Sequence, residues 1–178
     1  MAATLQHHAV QFVSRTGRLV TLRPCTPADA ALIADMYRRL SAETLYLRYC
    51  SAGLSVSAER EAARLCEGDP QEQAVVLAVS RGEVVGVGEL GRVDEETAEI
   101  AFVVRDDCQR EGIGTALAEQ VVEVAREMGF SRLQAYMLAE NYAIRRLAAK
   151  LPFPRKWESR WGEMCVVFEI GCASAALR

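Results

Sequence analysis

The stretch Gln109-Arg110-Glu111-Gly112-Ile113-Gly114 decides the fold, because it joins a β-rich segment that ends at Val104 to a long helical pattern. The first N–H groups of a helix have no partner inside the helix, and the helix dipole adds partial positive charge at that end. Gly112 and Gly114 lack the Cβ atoms that would block an approaching anion. The stretch therefore predicts a turn whose backbone amides bind a phosphate group.

Other kinds of glycine turn have to be weighed against this interpretation. Two glycines near a helix start also occur where they only let a helix pack closely on a strand. A Rossmann dinucleotide site needs its glycines after the first strand and a third glycine in register, which this sequence lacks. A P-loop needs a lysine after its last glycine, whereas Gly114 is followed by Thr115. Phosphate binding and simple close packing both stay open at this point.

The sequence before the loop predicts strands, then helices, then strands again. Thr26, Ser41 and Ser57 are suited to cap helices that end near residues 40, 46 and 66. Alternating apolar residues predict the strands, and the last three of them form an antiparallel meander. These strands are expected at residues 10–13, 19–23, 74–79, 84–90 and 98–104.

The sequence after the loop continues the alternation. Apolar residues recur at helical spacing over residues 114–128, and Gly129 is placed to end that helix. A strand at 130–138, a helix at 141–150 and a strand at 164–170 follow. The whole order predicts an α/β protein with a mixed sheet and helices on both of its faces.

The length of 178 residues suits a single domain. We expect residues 1–17 to form an extension with the first short strand, residues 18–172 the domain, and residues 173–178 a tail. No run reaches the roughly 20 apolar residues of a membrane span, and no leader is visible. A soluble, cytoplasmic protein is expected.

The composition of the chain predicts which classes of binding partner it lacks. Lys and Arg total 21 and Asp and Glu total 24, so the net charge of −3 predicts neither a nucleic-acid nor a membrane partner. The six cysteines show no metal-ligand spacing, which predicts reduced thiols and no metal site. His7 and His8 are the histidines of the chain and lie where a terminus frays, so no catalytic imidazole is expected.

With the loop placed between strand and helix, the sequence resembles the GNAT superfamily of N-acetyltransferases. The family signature (R or Q)-x-x-G-x-(G or A) is matched by Gln109, Gly112 and Gly114. Residues 98–109 resemble the family's fourth strand leading into the loop, and residues 141–153 resemble its helix after the fifth strand. The resemblance covers about residues 18–170. It implies the GNAT acyl-CoA N-acyltransferase fold, a mostly antiparallel sheet whose fourth and fifth strands, in the family's count, splay apart at a bulge.

The resemblance also implies acetyl-CoA as cosubstrate. Backbone groups of Phe102, Val103 and Val104 would pair with the pantetheine arm, as an added strand does. The amides of residues 109–115, which include Arg110, Glu111, Ile113 and Thr115, would hold the pyrophosphate. Asn141 would contact the cosubstrate near its pantetheine, and a helix N-cap is an equally good interpretation of this residue.

Direct attack of an amine on the thioester, in a ternary complex, needs a group that takes the amine proton. Glu99 is the first candidate, because its neighbours Ala98 and Ile100 suggest a carboxylate in apolar surroundings. The alternative is a solvated residue at the start of its strand. Glu89, on the preceding strand, is the second candidate.

Several relatives carry a tyrosine that protonates the leaving thiolate, and Ala148 stands at that position here. A thiol with a pKa of about 8.5 can leave without an acid, so catalysis is not excluded. We expect packing roles for Tyr136 and Tyr142. An acyl-enzyme on Cys108 is disfavoured, because no histidine is available to activate the thiol.

Residues 23–29 and 40–48 resemble the acetyltransferase domain of Pat-type bacterial protein lysine acetyltransferases. The resemblance implies a protein lysine as acceptor, with helices between residues 36 and 66 lining the acceptor side. A small amine, an amino acid or an antibiotic is the alternative acceptor, and a catalytically silent CoA-binding sensor module is the alternative class. The strand at 164–170 is expected to be able to pair between subunits in a homodimer.

Overall fold

Eight strands form one sheet within residues 9–53 and 55–171, which are the residues that the computed structural model describes. They are β1 (Val10–Val13), β2 (Leu19–Pro24), β3 (Gln73–Ser80), β4 (Glu83–Arg92), β5 (Thr97–Val104), β6 (Arg132–Leu138), β7 (Arg155–Arg160) and β8 (Glu163–Glu169). Their order across the sheet is β1-β2-β3-β4-β5-β6-β8-β7. Among these neighbours β5 and β6 run parallel and the other pairs antiparallel, so the predicted mixed sheet is confirmed.

Helices cover both faces of the sheet. One face carries α1 (Ala30–Arg38), α2 (Ala42–Tyr49) and α3 (Ala58–Cys66), and the other carries α4 (Ile113–Glu127) and α5 (Tyr142–Lys150). Each face has its own cluster of buried apolar side chains, with Val103 of β5 in the first and Ile100 in the second. Side chains that alternate along β5 therefore pack into the apolar clusters on opposite faces of the sheet. The predicted α/β architecture is confirmed.

The predicted helix starts are confirmed by their caps. Ser41 Oγ accepts a hydrogen bond from the Thr44 N–H at 3.1 Å, and Ser57 Oγ accepts one from the Arg60 N–H at 3.3 Å. Thr26 begins a short 3-10 turn that runs into α1. The side chains of Ser41 and Ser57 satisfy amides that a helix start leaves without partners, whereas at Thr26 the backbone carbonyl accepts from the Asp29 N–H at 2.9 Å.

The strands β5 and β6 separate after a short contact. They pair only from Thr97 with Arg132 to Glu99 with Gln134, and beyond that point β6 stays paired with β8 along its whole length. The expected splay is confirmed, but the bulge expected at the point of splay is absent from the described pairings of β5. The pairing of β4 with β5 is continuous, and the one irregularity in the β3–β4 pairing lies between Ala78 and Val79. The gap opens because β6 follows β8 away from β5.

The strand β8 is not an edge of the sheet. It pairs with β6 on one side and with β7 on the other, so its backbone groups already have partners. The prediction that residues 164–170 pair between subunits is therefore wrong. β7 and β8 form an antiparallel hairpin in which β7 lies on the outer side of β8. The edge strands of the described sheet are β7 and β1.

Asp29 fastens the start of α1 to the end of β2. It is 4% exposed and accepts hydrogen bonds from Arg23 Nη1 at 2.8 Å and Arg23 Nη2 at 2.6 Å. The backbone N–H and the hydroxyl of Thr26 also donate to it, at 2.8 and 2.7 Å. The hydrogen bonds from Arg23 lower the pKa of Asp29 to about 2.

We expect Asp29→Asn to lower the free energy of unfolding by about 2 kcal/mol at pH 7. A lowered folded-state pKa stabilises the protein above the unfolded value of 3.8, and the contribution shrinks as the pH falls toward about 2. Urea unfolding between pH 7 and pH 3 measures this, with about half of the difference left at pH 3. Asp35→Asn is the control, because Asp35 is exposed, 3.7 Å from Arg39, and should change stability by less than about 1 kcal/mol. Equal effects of the two changes would contradict the assignment.

Some predicted features lie outside the described residues. These are the region of His7 and His8, Cys172, and the predicted tail at 173–178. The division of the chain at residues 17 and 172 stays a prediction. Among the helices of residues 9–53 and 55–171, none has the length and apolar character that crossing a membrane requires.

Candidate active site

The loop at residues 110–114 presents a row of unpaired amides at the N-terminus of α4. Within the described part of the chain, the N–H groups of Arg110, Glu111, Gly112, Ile113 and Gly114 donate to no protein acceptor. Arg110 (φ 61°) and Gly112 (φ 98°) adopt left-handed backbone conformations, and such turns can direct neighbouring amides to one side. A Cβ atom built on Gly112 would meet nothing within 4 Å, so the space over the loop is open. We call these five amides the amide cradle.

Glu111 holds the cradle in place through the hairpin of β1 and β2. Its side chain is 8% exposed and accepts hydrogen bonds from Ser14 Oγ at 2.8 Å and Arg18 Nε at 3.1 Å. The Arg15 N–H donates to the Glu111 carbonyl at 3.0 Å. The hydrogen bond from Arg18 lowers the pKa of Glu111. Glu111 thus offers its amide to the cradle while its carboxylate anchors the loop, and sequence analysis missed this second role.

The start of α2 is tied to the same loop. The Asp106 carboxylate accepts hydrogen bonds from Ser41 Oγ at 2.6 Å and from Thr44 Oγ1 at 2.8 Å. Gln109 Nε2 donates to Thr44 Oγ1 at 3.2 Å and to the Val104 carbonyl at 3.1 Å. The signature glutamine therefore links β5, the loop and α2. No sequence pattern signals these contacts, because the partners are far apart in the chain.

Beyond Glu99, the side of β5 that faces away from β4 has no paired strand among the described residues. We call this side the open edge of β5. The Arg105 N–H donates to the Val85 carbonyl on β4 at 3.0 Å. Backbone direction alternates along a strand, so the groups of Val103 also point to β4, while those of Phe102 and Val104 point to the open side. Of the three predicted backbone contacts, the geometry favours Phe102 and Val104.

An apolar crevice lies where β5 and β6 diverge, against α5. Its walls include Ile100 and Phe102 of β5, Ala135 and Met137 of β6, and Leu147 and Ala148 of α5. The crevice adjoins the amide cradle, because a Cβ atom on Gly114 would lie 3.9 Å from both Leu147 and Val104. The cradle, the open edge of β5 and the crevice therefore follow one another along a single path.

Asn141 caps α5. Its Oδ1 accepts a hydrogen bond from the Ile144 N–H at 3.2 Å, so the capping interpretation is confirmed. Its side-chain amide has no partner among the described residues. Asn141 is half-buried at the start of α5, the helix whose later residues line the crevice. A contact between Asn141 and a bound cosubstrate stays a prediction.

Glu99 lies at the point where β5 and β6 part, and its side chain is exposed. The expectation of apolar surroundings is wrong, because Ala98 and Ile100 point to the opposite face and are buried there. Glu99 is on the face that α1, α2 and α3 cover farther along the sheet. Nearby on this face are Tyr136 and Cys165, on which the Glu99 charge acts. Its role as proton acceptor stays a prediction.

Glu89 lies on the neighbouring strand β4, on the same face of the sheet as Glu99. The register pairs Glu89 with Ala101 and Glu99 with Gly91, so the two carboxylates are diagonal neighbours. Glu89 is already bound, because Arg48 of α2 contacts it and Arg64 of α3 donates to it at 2.7 Å. Its oxygens are thus less available to an amine proton than those of Glu99.

Two predicted packing residues are instead exposed. Tyr136 is 54% exposed and Tyr142 is 67% exposed, so the prediction of packing roles is wrong for both. Tyr136 lies on the same sheet face as Glu99, while Tyr142 is at the first turn of α5, with Arg145 over its ring. Ala148 is buried in the crevice, and no hydroxyl replaces the missing tyrosine there.

Cys108 is fully buried beside the loop, and burial raises the pKa of its thiol. A thiol of this kind is a poor nucleophile, which agrees with direct transfer rather than an acyl-enzyme. Within residues 9–53 and 55–171 no group of three or more His, Cys, Asp or Glu side chains is placed to hold a metal ion.

Comparison with known proteins identifies this arrangement. A model of the acetyltransferase (GNAT) domain matches residues 19–153, and the chain belongs to this family. The acetyltransferase Pat of Mycolicibacterium smegmatis is 32% identical over 141 residues, which are 77% of this chain and 42% of Pat. The family and the resemblance to Pat that the sequence predicted are confirmed.

Solved structures agree with the fold. The GNAT domain of S. lividans PAT superposes with a TM-score of 0.81 at 26% identity, over 90% of this chain and 96% of that one. The structure of yncA from Salmonella typhimurium with its cofactor acetyl-CoA has a TM-score of 0.70 at 20% identity, over 88% and 96%, and shows the fold alone. The chain spans less than half the length of the M. smegmatis Pat that it matches.

Proposed function

We propose that this protein transfers an acetyl group from acetyl-CoA to a primary amine. The proposal rests above all on the amide cradle and its continuation into the open edge of β5 and the crevice. Acetyl-CoA has matching parts in the same order: an anionic pyrophosphate, an arm with amide groups, and an acyl thioester. Amides at a helix start bind anions, and a free strand edge pairs with an amide-bearing chain.

Different residues along the path bind different parts of acetyl-CoA. The cradle amides donate to the pyrophosphate oxygens, and the dipole of α4 adds to their attraction. The open-side N–H and carbonyl of Phe102 and the N–H of Val104 pair with the arm and fix its direction, while the Val104 carbonyl accepts from Gln109. When bound, acetyl-CoA supplies an activated acyl carbon whose leaving group is a thiolate. In this proposal an N–H on the open edge of β5 donates to the thioester oxygen and stabilises the negative charge that develops there.

Glu99 is the proposed proton acceptor. An alkyl amine has a pKa of about 10.4, so near pH 7 it must lose a proton before it can attack. The amine nitrogen then bonds to the acyl carbon, the carbon–sulfur bond breaks, and the electron pair leaves on sulfur. The proton that the amine loses before the attack passes through water to the exposed Glu99 carboxylate, and the second proton, which nitrogen sheds as the amide forms, passes to bulk water. No acid is assigned to the thiolate, since Ala148 carries no proton.

The proposed acceptor is a protein lysine. The resemblance of residues 23–29 and 40–48 to Pat-type protein lysine acetyltransferases and the relation to Pat support this choice. The exposed ring of Tyr136 lies on the same sheet face as Glu99, and an anion and an aromatic ring both attract a cationic side chain.

Two measurements test the function together. Calorimetry gives the Kd of acetyl-CoA, and release of CoA thiol detected with DTNB reports turnover with a lysine-peptide library and with a panel of small amines, amino acids and aminoglycosides. Turnover that is fastest with lysine peptides supports the proposal. Turnover with small amines alone moves the acceptor to that class. Binding of acetyl-CoA without turnover on any acceptor refutes the enzyme and leaves a CoA-binding module.

Substitutions at Asn141 separate capping from cosubstrate contact. We expect Asn141→Asp to keep the cap and to raise the Kd of acetyl-CoA about fivefold, because it loses the amide donor. Asn141→Ala should in addition lower the free energy of unfolding by about 1 kcal/mol. Calorimetry and urea unfolding measure the two effects. An unchanged Kd in Asn141→Asp would assign the residue to capping alone.

A further inference from the structure

The strand β7 is hydrogen-bonded to a neighbouring strand on one side only. Within the described sheet it is the last strand, and its residues pair with β8. A two-residue turn joins the two strands, and in such a hairpin the flanking residues, here Arg160 and Glu163, exchange backbone hydrogen bonds. At the other end of the hairpin, the Glu169 N–H donates to the Pro154 carbonyl at 3.0 Å. The even-numbered residues of β7 therefore direct their backbone groups to β8.

The odd-numbered residues of β7 direct their backbone groups to the outer edge. Because this direction alternates along a strand, the N–H and carbonyl groups of Arg155, Trp157 and Ser159 point away from β8. The side chain of Trp157 is 38% exposed, although its partner in the register, Val166, is fully buried. An uncovered strand edge beside an exposed aromatic ring is a place where a further strand can be added.

The charges of β7 indicate which strand fits this edge. Lys156 and Glu158 are exposed, flank Trp157 in sequence and lie on the opposite face of the strand from it. When two copies of β7 run antiparallel about a two-fold axis at Trp157, Lys156 of each copy lies opposite Glu158 of the other. An axis at either neighbouring residue would place Lys156 opposite Lys156, or Glu158 opposite Glu158, and directly opposed like charges are unfavourable. The strand is complementary to itself in the register centred on Trp157.

The same register also satisfies the backbone. The outward groups of Trp157 face those of Trp157 in the second copy, and the outward groups of Arg155 face those of Ser159. Residues that face each other in this way exchange both of their hydrogen bonds. An axis between two residues would instead oppose outward groups to groups that already bond to β8. Charge and backbone direction thus select one arrangement independently.

We propose that β7 pairs with β7 of a second copy of this chain, so that the protein is a dimer with one continuous sheet. The inference does not depend on the proposed function. The two Trp157 rings meet at the axis, on the sheet face where Val166 joins the apolar cluster of α4 and α5. The ion pairs of Lys156 with Glu158 lie on the other face, which is also the face of Glu99. Both candidate active sites of the dimer therefore open on the same surface.

Analytical ultracentrifugation of the full chain over a range of concentrations tests the inference. We expect a dimer with a Kd in the micromolar range for the wild type. Glu158→Lys and Lys156→Glu should each raise this Kd by about tenfold or more, because each variant places like charges at both symmetry-related positions. An equal mixture of the two variants should associate as tightly as the wild type, since each facing pair then joins opposite charges again.

Glu95→Lys is the matched control. It makes the same change of charge as Glu158→Lys, at an exposed site in the turn before β5, three strands away from β7 across the sheet. The Kd of the dimer should stay at the wild-type value. Amide hydrogen exchange gives a second readout, in which the N–H groups of Trp157 and Ser159 exchange slowly in the dimer and rapidly in either charge variant of β7 alone.

Three results would overturn the inference. A wild-type protein that stays monomeric at millimolar concentration refutes the dimer. A dimer whose Kd neither Glu158→Lys nor Lys156→Glu changes, or a mixture of these variants that stays monomeric, refutes the pairing of β7 in this register. Slow exchange of the Trp157 N–H in a monomer shows that another segment of the same chain covers the edge, and this result refutes the inference as well.

Discussion

Glu99→Gln is expected to lower kcat about a hundredfold at pH 7 while the Kd of acetyl-CoA stays within about twofold of the wild-type value. Gln has nearly the shape of Glu but accepts no proton, so the ammonium group must lose its proton without help. The defect should shrink as the pH approaches about 10, where the free amine becomes abundant. Thiol release as a function of pH and calorimetry measure the two quantities.

Two further variants make this result specific to Glu99. Glu95→Gln removes the same charge from an exposed site in the turn before β5, and it should leave kcat nearly unchanged. Glu89→Gln removes a partner of Arg48 and Arg64, so it should lower the free energy of unfolding more than Glu99→Gln does. A hundredfold loss of kcat in a folded Glu89→Gln, with normal turnover in Glu99→Gln, would transfer the proton-acceptor role to Glu89.

Gly112→Ala is expected to raise the Kd of acetyl-CoA at least tenfold. The left-handed backbone at this position costs a residue with a Cβ atom about 1–2 kcal/mol, and relaxing that strain turns the amides away from the anion. The cradle amides must then be reordered whenever the cosubstrate binds. At saturating acetyl-CoA, kcat should remain close to that of the wild type, because Gly112 does not touch the acyl group.

Gly82→Ala is the control for the Gly112 variant. Gly82 also has a positive φ, of 80°, and open space around its Cβ position, but it lies in the turn between β3 and β4. Both substitutions should lower the free energy of unfolding by a similar amount, whereas only the change at Gly112 should affect the Kd. Equal Kd values for the two variants would show that the cradle does not hold the cosubstrate.

The features that the sequence predicted well are local in the chain. The cradle depends on a few consecutive residues, and the helix caps at Ser41 and Ser57 act on amides three residues away. Such contacts follow from backbone geometry and need no knowledge of the rest of the fold. The alternation of apolar and polar residues likewise marks the strands before any pairing is known.

The features that the sequence did not reveal depend on distant pairings. Ser14 and Glu111 are 97 residues apart, and nothing in either segment announces the other. The surroundings of Glu99 were misjudged because its sequence neighbours point to the opposite face of β5, which is a general property of strands. The sequence did not reveal that β8 is an interior strand, because that position depends on the pairing of β7 with its outer side.

The anchoring of Glu111 has a consequence for how far the chain can be shortened. The family match begins at residue 19, yet Ser14, Arg15 and Arg18, which hold Glu111, all precede it. A truncation at that boundary would retain every signature glycine and remove the support beneath them. The turn between β1 and β2 therefore supports the cradle, although it lies before the region of recognisable homology.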